Sequence, residues 1–430
     1  MLVTIHRGTK QIGGSCVEVS CGADRILLDL GLPLTLPGEP SVQINKMTFS
    51  DLLQEGILPN ITGVYANSAP DVKAVVLTHV HQDHTGLIGF IHPEIPLFTT
   101  AGTWALMESM VPFVQTRTVI SNRQTLSKNK PVRLGEMTVE AIPVDHSAPD
   151  AAAIYIKGNG RRLLYTGDLR AHGKKGYLFE ELIRRFSGKV DTLLVEGTTV
   201  GNPGHACKSE TDLESDFLKV FRKQSGLAII FCSGQNLDRI VAIFRAAKIA
   251  QKTMVIDLYT AYVLHKLAPL SKRIPQFDWP EIRIIAWPYQ ESALVKAGEP
   301  EFVAQTRHKW TSTRAMKDRG SEHVLLMRAN RMMNSLERNL GVAARQTHVI
   351  WSMWEGYWKD DKYVRPFCER HGIAPVRIHT SGHASWTDLQ RLINELKPTT
   401  VVPIHTTHSK VFKEHFDNVR LPDDGETFQV

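Results

Sequence analysis

Residues 1–200 alternate short apolar runs with glycine- or proline-rich turns, which predicts a sheet-rich unit. Several of these runs end directly in histidine or a carboxylate. Strands are predicted at residues 3–5, 16–19, 25–29, 74–77 and 193–196, hairpins at 132–144 and 151–165, and a helix at 101–111. Because polar residues at strand ends lie on loops that a rigid sheet holds in place, this pattern favours a functional site at one edge of the sheet.

From about residue 205 the pattern changes to alternating helices and buried strands. Strands are predicted at 227–232, 253–258, 282–287, 323–327 and 347–351, and helices at 209–224 and 236–251. We expect Thr211 and Glu214 to form a capping box for the first of these helices. Strand–helix alternation predicts a mostly parallel sheet, and therefore a second α/β domain.

After about residue 365, histidines again follow apolar runs, as at His383 and His405. The simplest interpretation is one domain split by another. We therefore predict a first domain of residues 1–204 plus 366–430, and an inserted domain of residues 205–365.

The densest chemical signal is the segment His-Val-His-Gln-Asp-His at residues 79–84, directly after an apolar run. Histidine and carboxylate are ligands that zinc and similar ions prefer. Neighbours on a turn point in different directions, so the spacing suggests two adjacent metals. A solvated, histidine-rich loop is the alternative. It is disfavoured because matching candidates recur at later strand ends.

The candidate ligands at strand ends are His79, His81, Asp83, His84, His146, Asp168 and His405. A carboxylate can bridge two cations, and we assign that role to Asp168. The first ion would be held by His79, His81, His146 and Asp168, and the second by Asp83, His84, His405 and Asp168. We expect two divalent ions, zinc rather than manganese. Asp29 is expected to orient one of the ligand histidines.

Composition narrows the class of protein. The 430-residue chain is 42% hydrophobic and 22% charged, and it contains five cysteines without disulfide-framework spacing. It has no long apolar run and no signal-like start, so we predict a cytoplasmic protein without a membrane partner. The formal charge of +7 favours an anionic partner, of which nucleic acid is the commonest large one.

These motifs together resemble the metallo-β-lactamase superfamily, and within it the β-CASP nucleases, most closely ribonuclease J. The matching motifs are Leu-Asp-Leu-Gly at Asp29, residues 79–84, His-Ser-Ala-Pro-Asp at His146, Thr-Gly-Asp at Asp168, Val-Glu-Gly-Thr-Thr at Glu196, Ser-Gly-His-Ala at His383, and His405. The resemblance implies an αββα sandwich with an inserted α/β β-CASP domain. It also implies a compact relative without ribonuclease J's extra C-terminal domain.

The resemblance also implies an activity. In the family, a hydroxide activated by two metals attacks a phosphodiester in line. If these roles apply to this chain, Asp83 and Asp168 take part in catalysis at the metal ions. His383 is then the general acid that protonates the leaving oxygen, and Glu196 orients His383. Glu196 replaces the aspartate usual in ribonuclease J. The alternatives are a surface carboxylate at Glu196, and a His383 that merely neighbours the helix cap Ser385.

A pocket for a 5′-terminal phosphate is a further implication of the resemblance. We predict Ser233, Asn236 and Ser381 as its contacts, since backbone N–H groups at a helix start attract anions. A plain helix cap by Asn236 is an equally good interpretation. Arg239 and Arg328 are candidates for additional positive charge.

Residues 351–358 contain four aromatic side chains. Packing between domains is the favoured interpretation because the segment follows a buried strand. Stacking of nucleic-acid bases is the alternative.

The favoured function is hydrolysis of RNA. The alternatives are a DNA nuclease, a hydrolase of small esters or lactones, and a catalytically silent nucleic-acid-binding subunit. The sequence leaves open exonuclease or endonuclease action and the oligomeric state.

Overall fold

The computed structural model describes residues 1–34, 44, 47–114, 120–201 and 207–430, which form three sheets. Strands and helices are numbered here in chain order. The first sheet has the order β19-β1-β2-β3-β4-β5-β6. Its strands are β1 (Leu2–Arg7), β2 (Cys16–Cys21), β3 (Asp24–Leu28), β4 (Ala74–Val76), β5 (Leu97–Thr99), β6 (Arg123–Thr125) and β19 (Thr427–Gln429).

The second sheet has the order β18-β11-β10-β9-β8-β7. Its strands are β7 (Val132–Leu134), β8 (Met137–Pro143), β9 (Ala152–Gly158), β10 (Arg161–Tyr165), β11 (Thr192–Glu196) and β18 (Thr400–Ile404). β10, β11 and β18 run parallel, and Glu196 at the end of β11 pairs in register with Ile404. The residues that follow these three strands therefore emerge at one edge of the sheet.

The two sheets pack face to face around a shared apolar core that includes Val3, Ile26, Met137 and Ile154. The helices that cover the outer faces follow from amphipathic runs in the sequence. The helices of this part of the chain are α1 (Phe49–Gln54), α2 (Gln82–Thr85), α3 (Ala101–Met110), α4 (Tyr177–Phe186), α14 (Trp386–Leu396) and α15 (Ser409–His415). α1 and α3 pack on the first sheet, and α4 and α14 on the second, which gives the expected αββα layering.

The third sheet is parallel throughout, with the order β14-β13-β15-β12-β16-β17. Its strands are β12 (Ala228–Phe231), β13 (Thr253–Asp257), β14 (Ile282–Ile285), β15 (His323–Met327), β16 (His348–Trp351) and β17 (Val376–Arg377). Its helices are α5 (Glu210–Lys223), α6 (Leu237–Ile249), α7 (Leu258–Leu267), α8 (Pro288–Lys296), α9 (Pro300–Thr306), α10 (Thr313–Asp318), α11 (Met332–Leu340), α12 (Gly356–Lys359) and α13 (Val364–His371).

The predicted domain limits remain a prediction. The first junction, at residues 204–205, lies outside the described residues. The third sheet continues past residue 365, because β17 pairs with β16 at Val376 and Arg377.

The predicted capping box of α5 is wrong. Ser209 caps the helix, and its side chain and that of Asp212 exchange hydrogen bonds with each other's backbone N–H. Both residue pairs have the required spacing of three, but Thr211 already lies inside the first turn of the helix.

Candidate metal centre

The edge of the two stacked sheets brings together the candidate ligands predicted from strand ends. His79 follows β4, His146 follows β8, and Asp168 follows β10. His405 comes directly after β18 in a left-handed backbone conformation with φ of 54°. The short helix α2 begins after His81 and carries Asp83 and His84.

The seven side chains fall into two groups that share Asp168. One group is His79, His81, His146 and Asp168, and the other is Asp83, His84, Asp168 and His405. In each group the potential ligand atoms lie within 4.8 Å of one another. These are the same two sets that the sequence predicts.

Individual distances show how closely the side chains converge. Nε2 of His79 lies 3.5 Å from Oδ2 of Asp168, and Nε2 of His84 lies 3.3 Å from the same oxygen. His405 Nε2 lies 3.2 Å from Asp83 Oδ2. In each group, imidazole nitrogens and carboxylate oxygens therefore surround a position that a metal ion could occupy.

The polar atoms at the centre lack the partners that buried atoms normally have. Both carboxylate oxygens of Asp168 and Nε2 of His84 are buried without a hydrogen-bond partner among the described residues. Leaving such a group unpaired costs about 1–3 kcal/mol, and more when it is charged. A cation between these atoms would satisfy them, so the site fits divalent metals with nitrogen and oxygen ligands.

The electrostatics favour ligand forms of three histidines and of Asp168, whereas the charges of Asp168 and Asp29 outweigh burial and raise the pKa of His84 well above its ordinary value. Burial lowers the pKa of His79, His81 and His146, which keeps these imidazoles neutral. Burial alone would raise the pKa of Asp168, but the neighbouring His405 and His84 outweigh it and lower that pKa well below its usual value. Neutral imidazole and ionised carboxylate are the forms that bind metal.

Asp29 lies behind the candidate ligands and contacts one of the histidines. Its Oδ2 accepts hydrogen bonds from Nδ1 of His84 and from the hydroxyl of Tyr165, both at 2.7 Å. Its Oδ1 accepts from the backbone N–H of Thr78 at 2.8 Å. The bond to Nδ1 turns Nε2 of His84 towards Asp168, and sequence reasoning had not identified Tyr165 or Thr78 as supports.

Glu196 and His383 form a hydrogen-bonded pair beside this centre. Nδ1 of His383 lies 2.9 Å from Oε2 of Glu196, and Oε1 accepts from the backbone N–H of Leu169. Burial would lower the pKa of His383, but the charges of Glu196 and Asp168 outweigh it and raise that pKa to about 9. Glu196 is buried and is not a surface carboxylate. Together with Asp168 and His405, the pair forms a third group of potential ligand atoms within 4.8 Å.

The three residues predicted to contact phosphate hold local turns. Asn236 caps α6 by accepting the N–H of Arg239, and the hydroxyl of Ser233 accepts the N–H of Gln235. Ser381 Oγ accepts the N–H of His383 at 3.0 Å. Ser381 thus fixes the turn that carries His383.

A fully buried ionic network lies next to the centre. Glu210 accepts two hydrogen bonds from Arg239, each of 3.1 Å, and one from Arg170. Arg170 also donates to the backbone carbonyl of Ser381, and Arg239 donates to that of Thr380. The network therefore joins the loop after Asp168, the start of α5 and the turn that leads to His383.

The two candidates for additional positive charge, Arg239 and Arg328, lie in different surroundings. Arg239 is buried and its donors are used by Glu210, Ser352 and Thr380, so it offers no positive surface. Arg328 is exposed and lies over the ring of Tyr259 at 5.7 Å. Sequence reasoning missed Arg170 and Glu210 because nothing local marks a buried charge. The only hint was the position of Arg170, two residues after Asp168.

No helix among the described residues is long and apolar enough to cross a membrane.

Comparisons with known proteins agree with this geometry. Residues 48–212 match the beta-lactamase superfamily domain, and residues 375–422 match the Zn-dependent metallo-hydrolase RNA specificity domain. The chain is similar over its whole length, with 22% identity and a TM-score of 0.79, to a crystal structure of a protein of unknown function from Enterococcus faecalis V583.

Curated relatives extend the similarity across both sheets of the sandwich and the third sheet. The chain is 25% identical to ribonuclease J of Mycobacterium tuberculosis over 94% of this chain and 68% of the relative. It is 22% identical to ribonuclease J of Helicobacter pylori over its full length, which spans 60% of that relative. The archaeal ribonuclease J of Pyrococcus abyssi is 23% identical, over 93% of this chain and 88% of that protein. The predicted fold and enzyme class are confirmed: the chain is a hydrolase that carries a beta-lactamase superfamily domain and is similar to ribonucleases J over most of its length.

Proposed function

We propose that this protein is a metal-dependent nuclease that hydrolyses phosphodiesters of RNA with two divalent ions. One observation carries the proposal: two groups of ligand side chains share Asp168, and the His383–Glu196 pair lies beside them. The match to an RNA specificity domain and the similarity to ribonucleases J support RNA as the substrate.

The two ligand groups would each hold one ion, zinc rather than manganese, with Asp168 between them. When bound, such ions acidify water and offset negative charge on phosphoryl oxygens. Asp29 keeps His84 in the orientation that presents Nε2, and Thr198 does the same for His405 by a 2.9 Å hydrogen bond to its Nδ1. The protein thus prepares the positions of its ligands before substrate binds.

His383 is proposed to protonate the leaving oxygen. Its Nδ1 is engaged by Glu196, which leaves Nε2 to face the substrate. A 3′-oxygen of RNA is a poor leaving group until it receives a proton, and a positioned imidazole can supply one. Glu196 is itself fixed by the N–H of Leu169, so the pair has a defined direction.

Phosphate binding by Ser233, Asn236 and Ser381 stays part of the proposal. Asn236 uses its side-chain oxygen to cap α6, so its amide nitrogen remains for an anion. Ser381 lies in the turn next to His383, which would place a bound phosphate near the general acid.

The test uses purified protein, loaded separately with zinc and with manganese. Its substrates are 5′-monophosphate RNA, 5′-hydroxyl RNA, DNA of the same sequence and a lactone, and product lengths are resolved. We expect RNA cleavage that depends on metal, and the product ladder distinguishes exonuclease from endonuclease action. Preferential turnover of DNA or of the lactone would replace the RNA assignment. RNA binding without turnover by metal-loaded protein would indicate a silent subunit.

A further inference from the structure

Trp354 is the only exposed tryptophan among the eight of the chain, all of which lie in the described ranges. It retains 60% of its accessible surface, and the nearby Tyr357 retains 61%. Large aromatic groups are normally enclosed when a core is available. Two adjacent exposed rings therefore suggest a surface that binds something flat and apolar.

The same segment contains two aromatic residues that are used for packing. Trp351 is buried at the end of β16, and Trp358 packs edge-on against it with ring centroids 4.9 Å apart. The guanidinium of Arg377 covers Trp358 at 4.0 Å. These two rings pack in the core beside the third sheet and not between domains as the sequence predicted, and Trp354 and Tyr357 remain outside this packing.

The exposed rings are held in place. The Trp354 indole lies against Gly356, and a Cβ at that glycine would come within 2.5 Å of three ring atoms. The Trp354 and Tyr357 rings meet at 89°, with centroids 5.4 Å apart. Fixed rings lose little conformational entropy when a ligand stacks on them.

The position of the pair links it to the metal centre. It follows β16 at the carboxyl edge of the parallel third sheet, where ligands of α/β folds commonly bind. β17, next to β16, leads into the turn that carries His383. Arg377 of β17 pairs with Glu355, next to Trp354, at 3.2 Å, which ties the segment of the exposed rings to the strand that leads towards His383.

We propose that Trp354 and Tyr357 form a stacking platform for one base of single-stranded RNA beside the metal centre. This inference rests on the proposed nuclease function. Every base has a π-face, so stacking there would hold the strand without selecting a sequence. The platform would bind the RNA strand through one base, while the metal centre acts on the phosphodiester backbone of the RNA.

The first experiment compares Trp354→Ala, Trp354→Phe and Tyr357→Ala with the wild type on a single-stranded RNA oligomer. Tyr177→Ala is the matched control, because Tyr177 is a tyrosine of similar exposure, 59%, on α4. We expect Trp354→Ala to raise KM and the RNA dissociation constant about 5- to 150-fold, with kcat nearly unchanged. Trp354→Phe should recover most of the loss, and Tyr177→Ala should match the wild type.

The second experiment replaces single nucleotides of the oligomer, one at a time, by abasic nucleotides. Wild-type protein should lose affinity at one position near the cleaved bond, and Trp354→Ala should show no further loss there. An unchanged KM and abasic profile in Trp354→Ala, with RNA cleavage intact in the wild type, overturns the platform alone. A metal-loaded wild type that neither binds nor cleaves RNA overturns the proposed function and the platform with it.

Discussion

Two buried polar clusters lie side by side in this protein, and they differ in how their atoms are satisfied. In the network of Arg170, Glu210 and Arg239, the guanidinium groups have carboxylate and carbonyl acceptors. In the ligand cluster, both oxygens of Asp168 lack hydrogen bonds among the described residues. A satisfied buried cluster fixes a structure, whereas an unsatisfied one marks a position for a ligand.

The largest expected effect is that of Asp168→Asn. Loss of the shared carboxylate should lower RNA turnover at least about 10,000-fold, because metal stabilisation of several kcal/mol disappears and each 1.36 kcal/mol is tenfold. Bound metal, measured by mass spectrometry of the dialysed protein, should fall in parallel. Bound metal at the wild-type level in the variant would contradict the contrast between the clusters.

His383→Ala should lower kcat about 100- to 1,000-fold, because it removes the proposed proton donor to the leaving oxygen. Metal content should remain that of the wild type. Glu196→Gln serves as the companion variant, since it keeps the shape of the side chain but weakens the hydrogen bond to Nδ1 of His383. Wild-type turnover by His383→Ala would remove this residue from the mechanism, and loss of metal would assign it to the third ligand group instead.

Glu210→Ala tests the satisfied cluster. It leaves two buried guanidinium groups without their shared carboxylate, so the free energy of unfolding should fall by about 3–5 kcal/mol. Guanidinium chloride titration of the metal-free protein measures this change. Glu214→Ala is a matched control on the same helix, because Glu214 is partly exposed and pairs with Lys174. A similar loss in both variants would show that burial of the network is unimportant.

Asp29→Asn should have the smallest effect, a decrease of about 10- to 100-fold in metal affinity. The amide can present its nitrogen to Nδ1 of His84 and thus loosens the orientation of Nε2. Competition with a chromogenic chelator measures the affinity. Equal affinity in variant and wild type would show that α2 alone fixes His84.

The sequence predicted which side chains converge because each is marked by a local signal. His79, Asp168 and His405 each follow an apolar run, and the two stacked sheets bring the ends of β4, β10 and β18 to one edge. The same logic predicted the parallel third sheet from its strand–helix alternation. The motif resemblance supplied the pairing of His383 with Glu196, which lie 187 positions apart.

The remaining features depend on tertiary contacts that no local pattern encodes. Arg170 and Arg239 have the side-chain chemistry of surface residues, and only the meeting of three segments encloses them. The sequence therefore suggests Arg239 as a source of additional positive charge, although Glu210, Ser352 and Thr380 accept its hydrogen bonds. In the aromatic segment, the short helix α12 exposes Tyr357 and packs its neighbour Trp358, and the sequence did not reveal this helix.

The pairing of β1 with β19 and of β11 with β18 has a consequence for biosynthesis. β1 leaves the ribosome long before its partner β19, and His405 is synthesised only after the strands of the third sheet. At about 5–20 residues per second, the early histidines wait roughly 15–65 s for their final companion. A nascent chain thus cannot assemble both groups of candidate ligands until the segment that carries His405 has been synthesised.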